Sequence, residues 1–154
     1  MRPVLLNRED CPQCAVSEAA VARAIAVLDE CPEYCVPPGE LSVVLLDDAE
    51  HCALHSRYLN DPSPTDVITF PGDAAEDFAG EIILNVDQAI REGPLHGNDA
   101  ASELTLYLVH GWLHLAGLDD HDAAGCRQMR EAERHLLSRL QQHRAMPPFR
   151  IGAG

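Results

Sequence analysis

The sequence predicts an α+β fold, a small mixed β-sheet with helices packed on it. Three observations lead there. Short apolar runs alternate with stretches of helical period in the order strand–helix–strand–helix–strand–strand–helix–helix–helix. Pro32, Pro37-Pro38-Gly39, Pro71-Gly72 and Gly93-Pro94 punctuate the boundaries. Residues Asp99–Ala116 are apolar nearly all the way round, through Leu104, Leu106, Tyr107, Leu108, Val109, Trp112, Leu113 and Leu115, and such a helix is buried.

Taken in order, Val4-Leu5-Leu6 reads as a first strand. Val16–Leu28 repeats Val16, Ala20, Val21, Ala24, Ile25, Val27 and Leu28 with a helical period. Leu41–Leu46 is a buried strand, and Asp47 or Asp48 caps a helix running to about Tyr58. Asn60–Pro64 is a loop by composition. Asp66–Phe70 is a strand that Pro71-Gly72 ends, Asp73–Phe78 a solvated acidic loop, and Glu81–Val86 the next strand. A short helix from Asp87 to about Glu92 stops at Gly93-Pro94. Asp99 is the expected N-cap of the buried helix, and Asp122 that of a last helix from Ala123 to about Arg144, with Met129, Ala132, Leu136, Leu137 and Leu140 inward. One domain is expected over residues 1–145, followed by a loose tail over 146–154.

The formal net charge of −14 argues against indiscriminate nucleic-acid binding, which depends on phosphate neutralisation. The charge is uneven. From Ala123 onward there are six Arg against two Glu, whereas the remainder holds five basic and 23 acidic residues. A local basic surface on the last helix is therefore expected. No run of ~18 apolar residues is present, so no membrane span is expected. The start, Met-Arg-Pro-Val-Leu-Leu-Asn-Arg-Glu-Asp, lacks the pattern of a signal peptide, which makes the cytoplasm the expected compartment.

The buried helix carries the chemistry. His110 and His114 stand four residues apart, one turn from each other on one face, where two neutral imidazoles can hold one transition metal. Buried imidazoles without a partner are costly, and a metal supplies one. Gly117 suits a left-handed helix end, after which the chain can return a third ligand from Leu118-Asp119-Asp120-His121. Three protein ligands leave a fourth position open, as in a catalytic zinc site rather than a structural one. Asp120 and His121 are the two candidates for the third ligand. A zinc peptidase would carry His-Glu-x-x-His, but Gly111 stands where that catalytic Glu would be. Glu103, seven residues before His110, is either an acceptor orienting a ligand or an acid on the helix dipole.

These residues resemble a known family. His110-Gly-Trp-Leu-His114-Leu-Ala-Gly117-Leu-Asp-Asp-His is similar to the His-Gly-x-Leu-His-Leu-x-Gly-x-Asp-His signature of the YbeY family. Pro64-Thr65-Asp66-Val67-Ile68-Thr69-Phe70-Pro71 resembles its Thr-Asp-Val-Leu-Ser-Phe-Pro segment, and Gly80-Glu81-Ile82-Ile83-Leu84 its Gly-Asp-Ile strand. The likeness spans about residues 40–140. It implies a zinc-dependent, single-strand-specific endoribonuclease with one Zn²⁺ per chain and no nucleotide cofactor. It also implies a precursor rRNA substrate (late 3′ end processing of 16S-type rRNA), a role in ribosome quality control, and the small ribosomal subunit or its proteins as partners. His110, His114 and either Asp120 or His121 would hold the ion, with Thr65 and Asp66 on the cleft wall positioning substrate or water. An arginine of the last helix would hold a phosphate.

Two positions depart from the family pattern. The usual third ligand is a His six residues after the second, where this chain has Asp120. The pattern also carries an Arg after an upstream aromatic residue, where Leu59 follows Tyr58 here, with Arg57 close by. These departures keep a second expectation open, a ribosome-assembly factor whose metal is structural. A metallopeptidase is the third.

Cys11-Pro-Gln-Cys14 and Cys31-Pro-Glu-Tyr-Cys35 have spacings near those of a four-cysteine zinc site. The intervening helix would hold the two pairs ~24 Å apart, so free buried thiols are expected instead.

Overall fold

The computed structural model describes residues 1–59 and 65–152. Its centre is a four-stranded mixed sheet in the order β1 (Val4–Asn7), β3 (Glu40–Leu46), β5 (Phe78–Asn85), β4 (Val67–Asp73). β1 and β5 run parallel to β3, and β4 runs antiparallel to β5. A short ribbon pairs β2 (Cys14–Ala15) with β6 (Arg150–Ile151). The helices are α1 (Glu18–Asp29), α2 (Asp48–Leu59), α3 (Val86–Glu92), α4 (Ala100–Leu115) and α5 (Ala123–Gln142). The α+β architecture is the one the sequence predicts.

Helix starts follow their caps. The side chains of Ser17, Asn85, Asp99 and Asp122 each accept a backbone N–H from the first turn of α1, α3, α4 and α5. Asp47 does the same for Glu50 at the start of α2. α4 ends where expected. Gly117 has φ +99°, its N–H donates to the His114 carbonyl, and the Leu118 N–H donates to the Leu113 carbonyl. That left-handed reversal turns the chain back toward the helix it has just left.

α4 is the core helix. It packs on β4 and β5 and is flanked by α3 and α5. Leu104, Leu108, Trp112 and Leu113 are fully buried. The Trp112 indole N–H is satisfied by Asp29 Oδ1 at 3.1 Å, and Asp29 also takes Arg2 Nε at 2.6 Å. A Cβ on Gly111 would meet Ile82 Cγ2 at 2.6 Å and the Val67 and Thr69 methyls at 3.2 and 3.3 Å. Glycine there lets the helix lie close against the sheet.

Three expectations change. β4 does not stop at Pro71-Gly72 but continues to Asp73, with Pro71 opposite Gly80. It is the edge strand, where a proline costs no ladder hydrogen bond on its open side. The acidic loop over Asp73–Phe78 is tighter than expected, a single 3₁₀ turn over Ala74–Glu76 with Asp77 left-handed, and Phe78 already belongs to β5. The described part of the expected tail, residues 146–152, is not loose. Phe149 is buried, β6 pairs with β2, and the Gly152 N–H donates to the Gln13 carbonyl at 2.7 Å. The expected loop over 60–64 lies outside the described residues.

Candidate metal centre

His110 and His114 project from one face of α4 with their Nε2 atoms 3.0 Å apart. Asp120 returns from the Gly117 turn with Oδ2 3.6 Å from His110 Nε2 and Oδ1 3.8 Å from His114 Nε2. The three side chains are half-buried, and one ligand atom from each falls within a common 4.8 Å. A tetrahedral ion with bonds of about 2.0–2.1 Å keeps its ligand atoms about 3.3–3.4 Å apart, which the three measured separations bracket.

The hydrogen bonds explain why the ring nitrogens meet. His110 Nδ1 donates to Glu133 Oε2 at 3.2 Å. This fixes the tautomer whose lone pair sits on Nε2. His114 has a backbone hydrogen-bond partner at Leu118 as well as the His110 contact. Two nitrogen lone pairs facing each other at 3.0 Å beside a carboxylate repel unless a cation or proton lies among them. The donor set, two imidazoles and one carboxylate oxygen, suits zinc and similar divalent ions.

The model of the family described as Endoribonuclease YbeY matches residues 10–141. The chain belongs to that family. An Endoribonuclease YbeY of Protochlamydia amoebophila is 43% identical over 102 residues, covering 63% of this chain and 68% of the relative. One from Mycobacterium sp. strain KMS is 34% identical over 119 residues, covering 70% and 67%. The solution structure of TM1509 from Thermotoga maritima superposes with a TM-score of 0.62 over 94% of this chain and 93% of that one. At 23% identity that likeness speaks for the fold alone.

Against the family pattern, the position of the usual third histidine is where Asp120 joins the two α4 histidines. His121, the other sequence candidate, is not in the group. Its side chain is 89% exposed and its Nε2 lies 3.3 Å from Asp119 Oδ1. The loop carrying Asp120 is held by α5, since the Cys126 thiol donates to the Asp120 carbonyl at 3.1 Å. Thr65 and Asp66 sit just before β4. Asp66 accepts the Val67 N–H at 2.8 Å and lines a cavity that His110 and Asp120 also line. The Thr65 hydroxyl donates to Asp66 at 3.5 Å, and its carbonyl accepts from Asn85. The side chain of Leu59 lies outside the described residues.

That cavity has a volume of about 570 Å³, and its walls carry Asp66, Glu92, Glu103, Asp120 and Glu133, with Arg130 on the α5 side. Of the α5 arginines, Arg130 is the one among the described residues lining that cavity. Glu103 is neither an exposed acid nor the partner of a cluster histidine. It is 1% exposed and accepts from His96 Nδ1 and Asn98 Nδ2, both at 3.0 Å. The residue that orients His110 is Glu133, which sequence reading passed over. The signal was present, because Glu133 stands one turn from Met129 and Leu136, an acid on the edge of the apolar stripe of α5.

Charge separates the two rings. Burial alone would lower the His110 pKa, but the Glu133 hydrogen bond and the charges of Glu133, Asp66 and Asp120 outweigh it and leave His110 above the ordinary histidine value. His114 is held below that value, first by burial and then by repulsion from His110.

The cysteines form no four-thiolate group among the described residues. Cys11 and Cys14 are buried and free, with pKa values that burial raises to about 12 and about 11, so neither is a ready thiolate. A second possible ligand group, Cys31, Glu33 and His135, shares no residue with the first, and two of its three members are exposed.

Proposed function

We propose that this chain is an endoribonuclease that uses a zinc ion held by His110, His114 and Asp120 to cleave single-stranded RNA. The observation that carries the reading is the convergence of two imidazole Nε2 atoms and one carboxylate at 3.0–3.8 Å beside an open cavity, in a chain of this family. When bound, such an ion acidifies a water and neutralises charge developing at phosphorus. The rest falls to the chain's own side chains. Glu133 keeps His110 in the ligating tautomer. Cys126 and the Gly117 turn hold Asp120 in place. Asp66, anchored by the Val67 N–H, lines the cavity beside His110 and Asp120 as an acceptor for water, and Arg130, which lines the same cavity, would donate to a phosphate once that group is seated at the ion. The physiological setting we propose is the maturation of ribosomal RNA and ribosome quality control in the cytoplasm, with precursor rRNA as substrate and the small ribosomal subunit as partner. No helix among the described residues is long and apolar enough to cross a membrane.

A second reading has one observation in its favour. Leu59 stands where the family pattern carries an arginine, which suits an assembly factor whose metal is structural. A peptidase is disfavoured, because Gly111 replaces the general base and the sheet leaves no room for a side chain there. The test is elemental analysis and zinc titration of wild type, Asp120→Ala and His121→Ala, with cleavage of a single-stranded RNA measured in parallel. Zinc near one per chain and RNA cleavage, both lost in Asp120→Ala and kept in His121→Ala, are expected. A wild type that takes up no zinc overturns the zinc reading. One that takes up zinc but cleaves no RNA favours the assembly factor.

A further inference from the structure

The two histidines open on different surfaces. His110 and Asp120 border the cavity with five carboxylates on its walls. His114 borders a groove of about 340 Å³ whose other described lining residues are Tyr58, Val67, Ile68, Thr69 and Phe70, none of them charged. A phosphodiester chain entering the first meets a concentration of its own charge, which repels it, whereas the described walls of the second carry no carboxylate. The groove also has the right furniture for unpaired bases. Tyr58 is 58% exposed, and an edge-to-face contact with Phe70, centroids 5.2 Å apart, braces its ring while leaving ring surface to solvent. β4, which forms the groove wall, is an edge strand of the sheet among the described residues.

Resting on the endoribonuclease reading above, we infer that the RNA single strand reaches the metal centre along the open edge of β4 with a base stacked on Tyr58, and not through the carboxylate cavity. Stacking on an aromatic ring needs no particular base, because every base has a π-face. The platform therefore selects for unpaired nucleotides rather than for sequence, and a duplex, whose bases are already stacked on one another, gains nothing from it.

The experiment uses the full zinc-loaded chain and a short single-stranded RNA with 2-aminopurine at each position in turn, read by anisotropy and by quenching of the analogue. Metal content is measured for every variant. Tyr58→Ala is expected to weaken binding about ten-fold and to abolish quenching at one nucleotide position, while Tyr58→Phe restores both. Glu92→Gln, in the other cavity, is expected to leave affinity within about two-fold. Unchanged binding and quenching in Tyr58→Ala, or clear tightening in Glu92→Gln, would overturn the proposed path while leaving the endoribonuclease reading intact. A wild type that neither binds nor cleaves the RNA overturns both.

Discussion

The chain carries two histidine pairs at the same helical spacing, His51 and His55 on α2 and His110 and His114 on α4, and they come to opposite ends. On α2, His51 is fully buried and its Nε2–H donates to the Ile83 carbonyl at 3.0 Å. Its outer nitrogen is committed to the sheet, and no carboxylate joins the pair into a metal group among the described residues. On α4 the commitment is reversed. Glu133 occupies Nδ1 of His110, which leaves Nε2 facing His114 and Asp120. A four-residue spacing brings two rings onto one face. Whether they become ligands depends on which ring nitrogen the surroundings have already taken.

The largest effect that would break this contrast is on metal content. His114→Ala should fall from about one ion per chain to almost none, while His51→Ala should keep its metal despite lower stability. Elemental analysis after dialysis decides, and metal retained in the first or lost in the second sinks the distinction. A middle-sized effect sharpens it. Glu133→Ala should weaken metal affinity by roughly 10- to 100-fold while still saturating at the same stoichiometry, as competition with a chromophoric chelator would show. The smallest effect is in stability against pH, measured on metal-free protein. Burial holds the His51 pKa below its ordinary value, so the unfolded chain binds that proton more readily. Stability should therefore fall as pH drops below the unfolded-state value of ~6.5, at no more than about 1.4 kcal/mol per pH unit from this group, and level off below the folded-state pKa. His51→Gln, which keeps a donor for Ile83, should flatten that part of the urea-unfolding profile. An identical slope in both proteins would mean that His51 does not titrate between the folded and unfolded states.

Sequence alone showed the features written in neighbouring residues. The start of α4 at its Asp99 cap, its end at Gly117 and the shared face of His110 and His114 are all local, and all were legible. So was the α+β class, which follows from the order of periodic segments. Features that need a distant partner were not. Glu133 reaches His110 across 23 positions of chain. The burial of Phe149 depends on β6 finding β2 near the other end of the sequence. Pro71 reads as a strand end unless its strand is known to lie on the sheet edge. That Asp120 and not His121 lies beside the two α4 histidines depends on the path of the chain after the glycine reversal, which composition does not encode.

Gly111 has a consequence for how this site could change over evolutionary time. A zinc helix of the peptidase type differs from this one, at the position after the first histidine, by a single residue. Here that position is pressed onto Ile82 with no space for even a methyl group. Introducing glutamate would push the helix away from the sheet and displace both metal-facing imidazoles together. The one-step route between the two chemistries is closed on steric grounds. A lineage could cross only by trimming Ile82 beforehand, a truncation in the buried core that itself costs about 2–5 kcal/mol, so stability would have to be gained elsewhere before a new reaction was.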